Sequence, residues 1–190
     1  MHALIIACGE IMTNPVMEAI EKRRSIIRFE TTPVEEETIQ TILEAGRWAP
    51  SWLNKQPWRF IVVTDQATRE NLSEIAPTIY RLGVREAPVC IVISVDPNED
   101  PYHFAEDGAA ATQNMALAAY SLGLGSCWIG TFRFEEEKES SEAKIKKILG
   151  IPKAHRVISL LPIGIPKYFE GKNRKPLSQL VYRNEFGKAK

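Results

Sequence analysis

The sequence predicts a single α+β domain in which helices pack against a β-sheet. Three observations predict it. A chain of 190 residues has the usual length of one domain with its own core. Apolar residues occur at helical spacing in some segments and in short β-branched runs in others. The sequence has no internal repeat, low-complexity tract or linker that would divide these segments, and elements of both kinds around one core favour a sheet-and-helix sandwich.

Two helices are predicted before residue 50. Asn14 and Pro15 are typical of a helix N-cap followed by a first-turn proline, and we expect this helix to continue to about Arg23. Residues 32–35, Thr-Pro-Val-Glu, fit a capping box with a first-turn proline. Apolar residues at helical spacing follow this box as far as Gly46, so we expect a second helix there.

Alternating strands and helices are predicted over the rest of the chain. The β-branched runs indicate buried strands, and an alanine-rich segment indicates the longest buried helix, closed by Gly123. The expected strands cover residues 58–64, 88–95, 124–130 and 157–165, and the expected helices cover residues 66–76, 106–122 and 142–149.

Both ends of the chain lack a clear pattern. Residues 1–14 are interpreted as an N-terminal extension of uncertain order, or as residues upstream of a true start at Met12 or Met17. Their apolar stretch is far shorter than the ~18 to 20 residues that span a bilayer. We expect one domain over residues 15–190, whose last segment, from residue 175, has no helical or strand period and is expected to dock on another subunit.

Composition disfavours several classes of protein. The 24 Lys and Arg residues balance 24 Asp and Glu residues, so the chain lacks the basic field of nucleic-acid and membrane-surface binders. Cys8, Cys90 and Cys127 are odd in number and widely spaced, which disfavours a disulfide framework and fits a reducing cytoplasm. The charged run at residues 135–139 is interpreted as a solvated loop, with an interaction patch as the alternative.

Familiar catalytic motifs are absent from the sequence. The run from Gly123 to Trp128 follows a helix and enters a strand, which is the reverse of a dinucleotide-binding turn. The sequence contains no P-loop and no nucleophile elbow. His2, His103 and His155 stand apart from other metal-binding residues, so no metal site is expected. The chemistry is therefore expected to come from a bound cofactor.

A basic cluster follows the first predicted helix. Arg23, Arg24 and Arg28 lie within a few residues of Ser25. Guanidinium groups match phosphate oxygens in pairs, so this cluster is a candidate phosphomonoester site. The alternative is a solvated basic helix end, which the helix dipole favours. A second basic group at residues 172–175 could converge on the same dianion.

The segment at residues 49–58 is the most informative part of the sequence. It places two prolines, two tryptophans and the carboxamides of Asn54 and Gln56 between a helix and a strand. Carboxamides both donate and accept hydrogen bonds, which suits the pyrimidine edge of a flavin. With this segment, the chain resembles the nitroreductase family of flavin mononucleotide (FMN) enzymes over residues 16–183. The other segments that carry the resemblance, in the family's order, are Arg23–Ser25, Gly125–Gly130 and Lys172–Arg174.

The resemblance implies roles for particular residues. Those implied to hold the ribityl phosphate are Arg23, Arg24, Ser25, Lys172 and Arg174. Those implied to reach the flavin ring from the other subunit are Pro50, Ser51, Trp52 and Asn54, supported by Gln56. Those implied to form a strand end over the isoalloxazine, with a backbone N–H directed at N5, are Trp128, Ile129, Gly130 and Thr131. No side chain is implied to be catalytic.

The resemblance also implies a fold, an assembly and an activity. The fold would be a three-layer sandwich, with a mostly antiparallel central sheet flanked by helices, in an intertwined homodimer that exchanges C-terminal segments. Hydride would pass from NADH or NADPH to FMN and then to a small oxidised acceptor, such as a nitroaromatic or a quinone, by a ping-pong mechanism. The alternatives are another FMN enzyme of this fold, of the dehalogenating or flavin-degrading type, and a non-catalytic flavin-binding module.

Two details of the resemblance stay open. The short connection between Val95 and Glu106 implies that the helical lid of some relatives is absent. The contact to the N1/O2 edge of the flavin has Arg81 and Arg85 as candidates, and each is equally explained as a solvent-facing helix residue.

Overall fold

A computed structural model of the chain describes residues 14–131, 140–169, 171 and 173–187. Its helices are α1 (Pro15–Lys22), α2 (Glu36–Arg47), α3 (Gln66–Ile75), α4 (Thr78–Glu86), α5 (Phe104–Ser121) and α6 (Ser141–Leu149). Its strands are β1 (Trp58–Val63), β2 (Val89–Val95), β3 (Gly125–Ser126), β4 (Ile129–Gly130) and β5 (Arg156–Gly164). Within these ranges, none of the helices has the length and apolar character needed to cross a membrane.

The strands form one antiparallel sheet between two layers of helices. The strand order is β1-β2-β5-β3, and β4 also pairs with β5. Side chains of β2 alternate between the two faces. Ile91 and Ile93 join the core under α2 and α5, whereas Cys90 and Val92 join the core under α3, α4 and α6. This arrangement confirms the three-layer α+β sandwich.

The strand predicted over residues 124–130 is interrupted, so the prediction of one continuous strand is wrong. β3 and β4 face β5 in the same register, but residues 127 and 128 between them leave the ladder. Cys127 lies opposite Pro162, and its N–H donates to the Pro162 carbonyl at 3.2 Å. Proline has no N–H to return the bond, which explains the break.

Most predicted helix boundaries agree with the structure, except at the start of α2, and α4 (Thr78–Glu86) was not predicted. The Asn14 side chain accepts the Val16 N–H at 3.0 Å and caps α1 as predicted. The prediction of a capping box at residues 32–35 is wrong. Helix α2 begins at Glu36, and the preceding Glu35 is extended and makes no side-chain cap. Phe29, which precedes this segment, pairs with Pro166 in an antiparallel bridge, and this pairing keeps the segment extended.

Several predicted features fall at or beyond the limits of the described residues. The predicted N-terminal extension, except for Asn14, and the charged run at 135–139 lie outside them. In the C-terminal segment, the structure has a 3₁₀ turn at Leu177–Gln179. The side chains of Leu177 and Phe186 are 74% and 91% exposed, so this segment leaves apolar surface uncovered within one chain.

Candidate functional site

The end of α1 is fastened to the edge of the sheet. Ser25 and Ser126 form a parallel bridge, and the Ile26 N–H donates to the Ser126 carbonyl at 2.9 Å. The two backbone segments approach closely here because residue 125 is glycine. A Cβ at Gly125 would lie 2.7 Å from Cγ1 of Ile26. The bridge places the basic cluster beside β3.

A cavity of about 260 Å³ opens beside this bridge. Arg23, Arg24 and Ser25 line it together with Arg174, which is distant in the sequence. The lining contains no carboxylate among the residues that the structure describes. Arg174, from the second basic group of the sequence, therefore lies in the same cavity as the first basic group. Lys172, from that second group, lies outside the described residues.

The cavity carries uncompensated positive charge. Burial lowers the pKa of Arg23, and the neighbouring charges of Arg174 and Arg24 lower it further. Nε of Arg24 is buried and finds no acceptor within the described part of the chain. Clustered guanidinium groups with a free buried donor suit a dianionic phosphate, because it would offset the repulsion and accept the free N–H. These residues therefore fit the phosphate end of FMN.

The edge of the sheet next to this cavity presents backbone donors. The N–H groups of Cys127 and Thr131 point into the sheet, where they donate to the carbonyls of Pro162 and Ile158. Because N–H directions alternate along a strand, those of Trp128 and Gly130 point away from β5. The Ile129 side chain is buried and the Thr131 hydroxyl donates to the Val157 carbonyl at 2.9 Å, so the strand end is firmly held.

The segment predicted to reach a flavin ring is a strained loop at residues 50–56. Leu53, Asn54 and Gln56 have positive φ angles of 47°, 57° and 52°, which non-glycine residues rarely adopt. Within the loop, the Gln56 N–H donates to the Ser51 hydroxyl at 3.0 Å. Pro50, Trp52, Asn54 and Gln56 are exposed, so the two carboxamides are open to a ligand.

The loop is anchored to the N-terminal end of α5. The Trp52 N–H donates to Oδ1 of Asp107 at 3.1 Å. The Trp52 ring also lies against Tyr102 and His103, with ring centroids 5.8 and 5.2 Å apart. The loop conformation is thus set by the start of one helix.

Within one chain, the loop and the arginine cavity are far apart. Arg24 adjoins Tyr120 near the C-terminal end of α5, whereas Trp52 contacts Asp107 at the N-terminal end. Thirteen residues separate Asp107 from Tyr120, which corresponds to about 20 Å along the helix. A single chain therefore does not bring the predicted phosphate residues and the predicted ring loop together.

Several residues of the site were missed by sequence analysis. Ile79 and Tyr80 of α4 and Tyr168 line the arginine cavity, and no motif signalled them. Asp107 was missed as well, although a buried carboxylate in an alanine-rich helix stands out once its exposure is known. Arg81 and Arg85 do not line the cavity and instead form ion pairs with Glu74, which favours their interpretation as helix-surface residues.

Comparison with known proteins identifies the family. The nitroreductase family model matches residues 20–81 and 75–165, which is well over half of the chain. The chain belongs to the nitroreductase family. Membership confirms the resemblance seen in the sequence and agrees with the antiparallel three-layer fold.

Individual nitroreductase-family relatives cover most of this chain. A protein of Methanothermobacter thermautotrophicus, with the provisional name NADH dehydrogenase/NAD(P)H nitroreductase, is 36% identical over 160 residues, covering 83% of this chain and 81% of its own length. The crystal structure of a provisionally named nitroreductase of Desulfovibrio desulfuricans in complex with FMN is 34% identical and superimposes with a TM-score of 0.79, covering 92% and 99% of the two chains. The NADPH:FMN oxidoreductase of Vibrio harveyi in complex with NAD⁺ is 29% identical with a TM-score of 0.79, covering 93% and 80%.

Proposed function

We propose that this nitroreductase-family protein is an FMN-dependent NAD(P)H oxidoreductase. The observation that carries the proposal is the convergence of Arg23, Arg24 and Arg174 on one cavity beside the donor-bearing edge of the sheet. Relatives whose names state FMN binding or NAD(P)H-dependent flavin chemistry support the same cofactors. Bound FMN supplies a ring that takes a hydride from NADH or NADPH and passes two electrons to a small oxidised acceptor, such as a nitroaromatic or a quinone, in a second half-reaction.

The basic cavity supports a role in holding the phosphate of the cofactor. Arg23, Arg24 and Arg174 would donate paired hydrogen bonds to its oxygens, and Ser25 would add a neutral donor. Lys172 belongs to the same proposed set. Their positive charge would also favour the reduced, anionic form of the ring, because the field of the cluster extends beyond the phosphate.

The edge of the sheet would position the ring. The outward N–H groups of Trp128 and Gly130 are fixed in direction by the pairing of β4 with β5. A donor that is already oriented stabilises charge that develops during hydride transfer without reorganising first. Ile129 and Thr131 would hold the strand end in place. Trp128, which is 36% exposed, would then leave one face of the ring open to either substrate.

A homodimer would complete the site. The loop at residues 50–56 lies about 20 Å along α5 from the arginine cavity of its own chain, which supports a site where a second copy supplies Pro50, Ser51, Trp52, Asn54 and Gln56. The carboxamides of that loop could meet the polar edge of the ring. The exposed apolar side chains of the C-terminal segment, including Leu177 and Phe186, are suited to burial against the same second copy.

The connection between β2 and α5 supports a reductase with an open substrate face. Residues 96–103 join the two elements directly, without an inserted helix. A helical lid over the ring, which the dehalogenating and flavin-degrading alternatives would use to control oxygen and substrate, has no place in this connection. Small acceptors could therefore exchange with NAD(P)H at one face.

Anaerobic stopped-flow spectroscopy tests the proposal. The purified protein should show the absorption of bound oxidised flavin and should bleach rapidly when mixed with NADH or NADPH. A quinone or nitroarene added after the donor is consumed should restore the colour. A protein that binds added FMN but stays yellow with both donors would favour the flavin-binding module, and a protein that binds no FMN would reject the proposal.

A further inference from the structure

Two buried carboxyl groups lie in contact behind the ring loop. Asp100, in the connection between β2 and α5, is fully buried, and Asp107, in the first turn of α5, is 5% exposed. The two side chains are within hydrogen-bonding range of each other. Among the described residues, no lysine or arginine forms an ion pair with either group. Because two ionised carboxylates in contact repel each other, the pair favours a state in which the two groups share one proton.

The hydrogen bonds of Asp100 show where this proton belongs. Its Oδ1 accepts the N–H groups of Tyr102 and His103, each at 3.0 Å. Its Oδ2 is buried and has no donor in the described part of the chain other than what Asp107 can offer. A proton on Asp107 would satisfy this oxygen, so Asp107 is the member of the pair that carries it.

Asp107 supports the ring loop from outside it, together with the ring contacts of Trp52 with Tyr102 and His103. Its two oxygens lie 3.1 and 3.3 Å from the Trp52 nitrogen. Within the described part of the chain, the other hydrogen bonds of residues 50–56 join one part of the loop to another, such as Gln56 to Ser51. The positive φ angles of Leu53 and Asn54 persist only if their surroundings hold them. Loss of the Asp107 contact should therefore loosen the loop, which would then keep only the ring contacts of Trp52.

We propose that Asp107 is a positioning residue for the loop at residues 50–56, and that the anchoring of Trp52 depends on the proton that Asp107 shares with Asp100. This inference rests on the proposed function, because the loop matters for catalysis only if it contacts the flavin of the other subunit. Asp107 acts through Trp52 and touches neither the cofactor nor the substrate.

The ionisation of the pair gives the anchoring a pH dependence. Burial, together with the hydrogen bond and charge of Asp100, raises the pKa of Asp107 to about 6, although the Trp52 N–H acts in the opposite direction. Burial also raises the pKa of Asp100, but the N–H groups of His103 and Tyr102 outweigh it and keep that pKa below its usual value. If the loop opens and water reaches Asp107, the contribution of burial is lost and its pKa falls towards the ordinary value near 3.9, although Asp100 stays beside it. Opening is therefore favoured as pH rises from about 4 to 6.

Other titratable groups lie beside the pair, on α5 and on the elements packed against it. His103 faces Asp100, with Nδ1 3.8 Å from Oδ1, and lowers the pKa of Asp107 when protonated. Glu106, the neighbour of Asp107 on α5, is exposed. The ion pairs on the elements packed against α5 include Lys22 with Glu18 on α1, Arg47 with Glu44 on α2, Arg59 of β1 with Glu99, Arg156 of β5 with Glu142, and His155 with Asp96 after β2.

Hydrogen exchange of the Trp52 amide tests the inference without requiring activity. Protection factors, corrected for intrinsic exchange, should be measured from pH 4.5 to 7.5 in wild type, Asp107→Asn, Asp107→Ala and the control Glu106→Gln. In wild type and Glu106→Gln, protection should fall by up to about tenfold between pH 4.5 and 6, and by up to about 25-fold between pH 4.5 and 7.5. Asp107→Asn, which can accept the Trp52 N–H and donate to Asp100 at every pH, should stay protected throughout, whereas Asp107→Ala should be weakly protected throughout.

The outcomes separate this inference from the proposed function. Wild-type protection of Trp52 in Asp107→Ala, or the same pH step in Asp107→Asn as in wild type, would overturn the positioning role. If Asp107→Ala fails to fold, as judged by circular dichroism, the comparison of wild type with Asp107→Asn still decides. FMN titrations of the same samples report separately: failure of the wild type to bind FMN would reject the proposed function, whatever the exchange shows.

Discussion

Ser25 and Ser126 pair through their backbones, and this pairing joins the end of α1 to the edge of the sheet. The basic cluster and the outward-pointing donors of β4 therefore belong to one rigid unit. The Cys127 thiol lies near this cluster, since the charge of Arg23 and the side chain of Ser25 both act to lower its pKa. A cofactor held by this unit would have its phosphate and its ring positioned by the same few residues.

Removing one guanidinium from the cavity should weaken FMN binding. We expect Arg23→Ala and Arg174→Ala each to lose ~1.5 to 3 kcal/mol of binding free energy, or about tenfold to more than a hundredfold in affinity, because each removes a charge-assisted phosphate contact. Fluorescence titration of the FMN-free protein measures the change. Lys153→Ala, which removes an exposed positive charge away from the cavity, is the matched control. Wild-type affinity in both arginine variants would contradict the phosphate assignment.

Adding one methyl group at Gly125 should separate the end of α1 from the edge of the sheet. In Gly125→Ala the new Cβ would meet Cγ1 of Ile26 at 2.7 Å, so the bridge between Ser25 and Ser126 must shift. We expect a loss of about 1 to 3 kcal/mol of unfolding free energy, measured by urea denaturation, together with weaker FMN binding. Gly171→Ala, where a Cβ has open space, should match wild type in both measurements. Equal stability of the two variants would show that the close approach is not needed.

The two described cysteines should be unreactive in the folded protein. Burial raises the pKa of Cys90 to about 12 and that of Cys127 to about 11, although Arg23 opposes the shift at Cys127. Since the thiolate is the reactive form, iodoacetamide at pH 8 should leave both unlabelled until the protein is denatured. Peptide mass spectrometry before and after denaturation measures this. Rapid labelling of Cys127 in the native protein would mean that the segment between β3 and β4 opens readily.

Asp107 should make the global stability fall as pH rises from about 4 to 6. Its pKa is raised to about 6 in the folded state, so over this range the folded protein binds more protons than the unfolded chain. The contribution to the unfolding free energy is fully present below about pH 4 and is lost as pH rises through about 6, up to roughly 3 kcal/mol in total. Urea denaturation at several pH values, as the difference between wild type and Asp107→Asn, isolates this effect.

The control for that experiment is Glu106→Gln. Glu106 is exposed on the same helix, so its removal should leave the pH dependence of wild type in place. Carboxylates with lowered pKa values, such as Asp65 and Glu86, reduce the unfolding free energy as pH falls. Their effect cancels in the difference between wild type and variant, because every variant retains them. A difference that does not change with pH would contradict the shared proton.

The elements predicted well from the sequence are those set by neighbouring residues. The start of α1 follows from Asn14 and Pro15, and the end of α6 follows from Gly150 with its φ of 65°. The errors arose where a distant segment intervened. The gap between β3 and β4 depends on Pro162 of β5, and the failed capping box at residues 32–35 follows an extended stretch held by Pro166.

By itself, the sequence determined the sandwich of helices and strands, the family resemblance and the types of side chain available to hold a flavin. Only the tertiary structure decided that Arg174 lies with Arg23, that the loop of Trp52 is held far from that cavity in its own chain, and that Asp107 shares its environment with Asp100. The physical reason is that local preferences depend on residues a few positions apart, whereas charge convergence and pKa values depend on which distant groups the folded chain brings into contact.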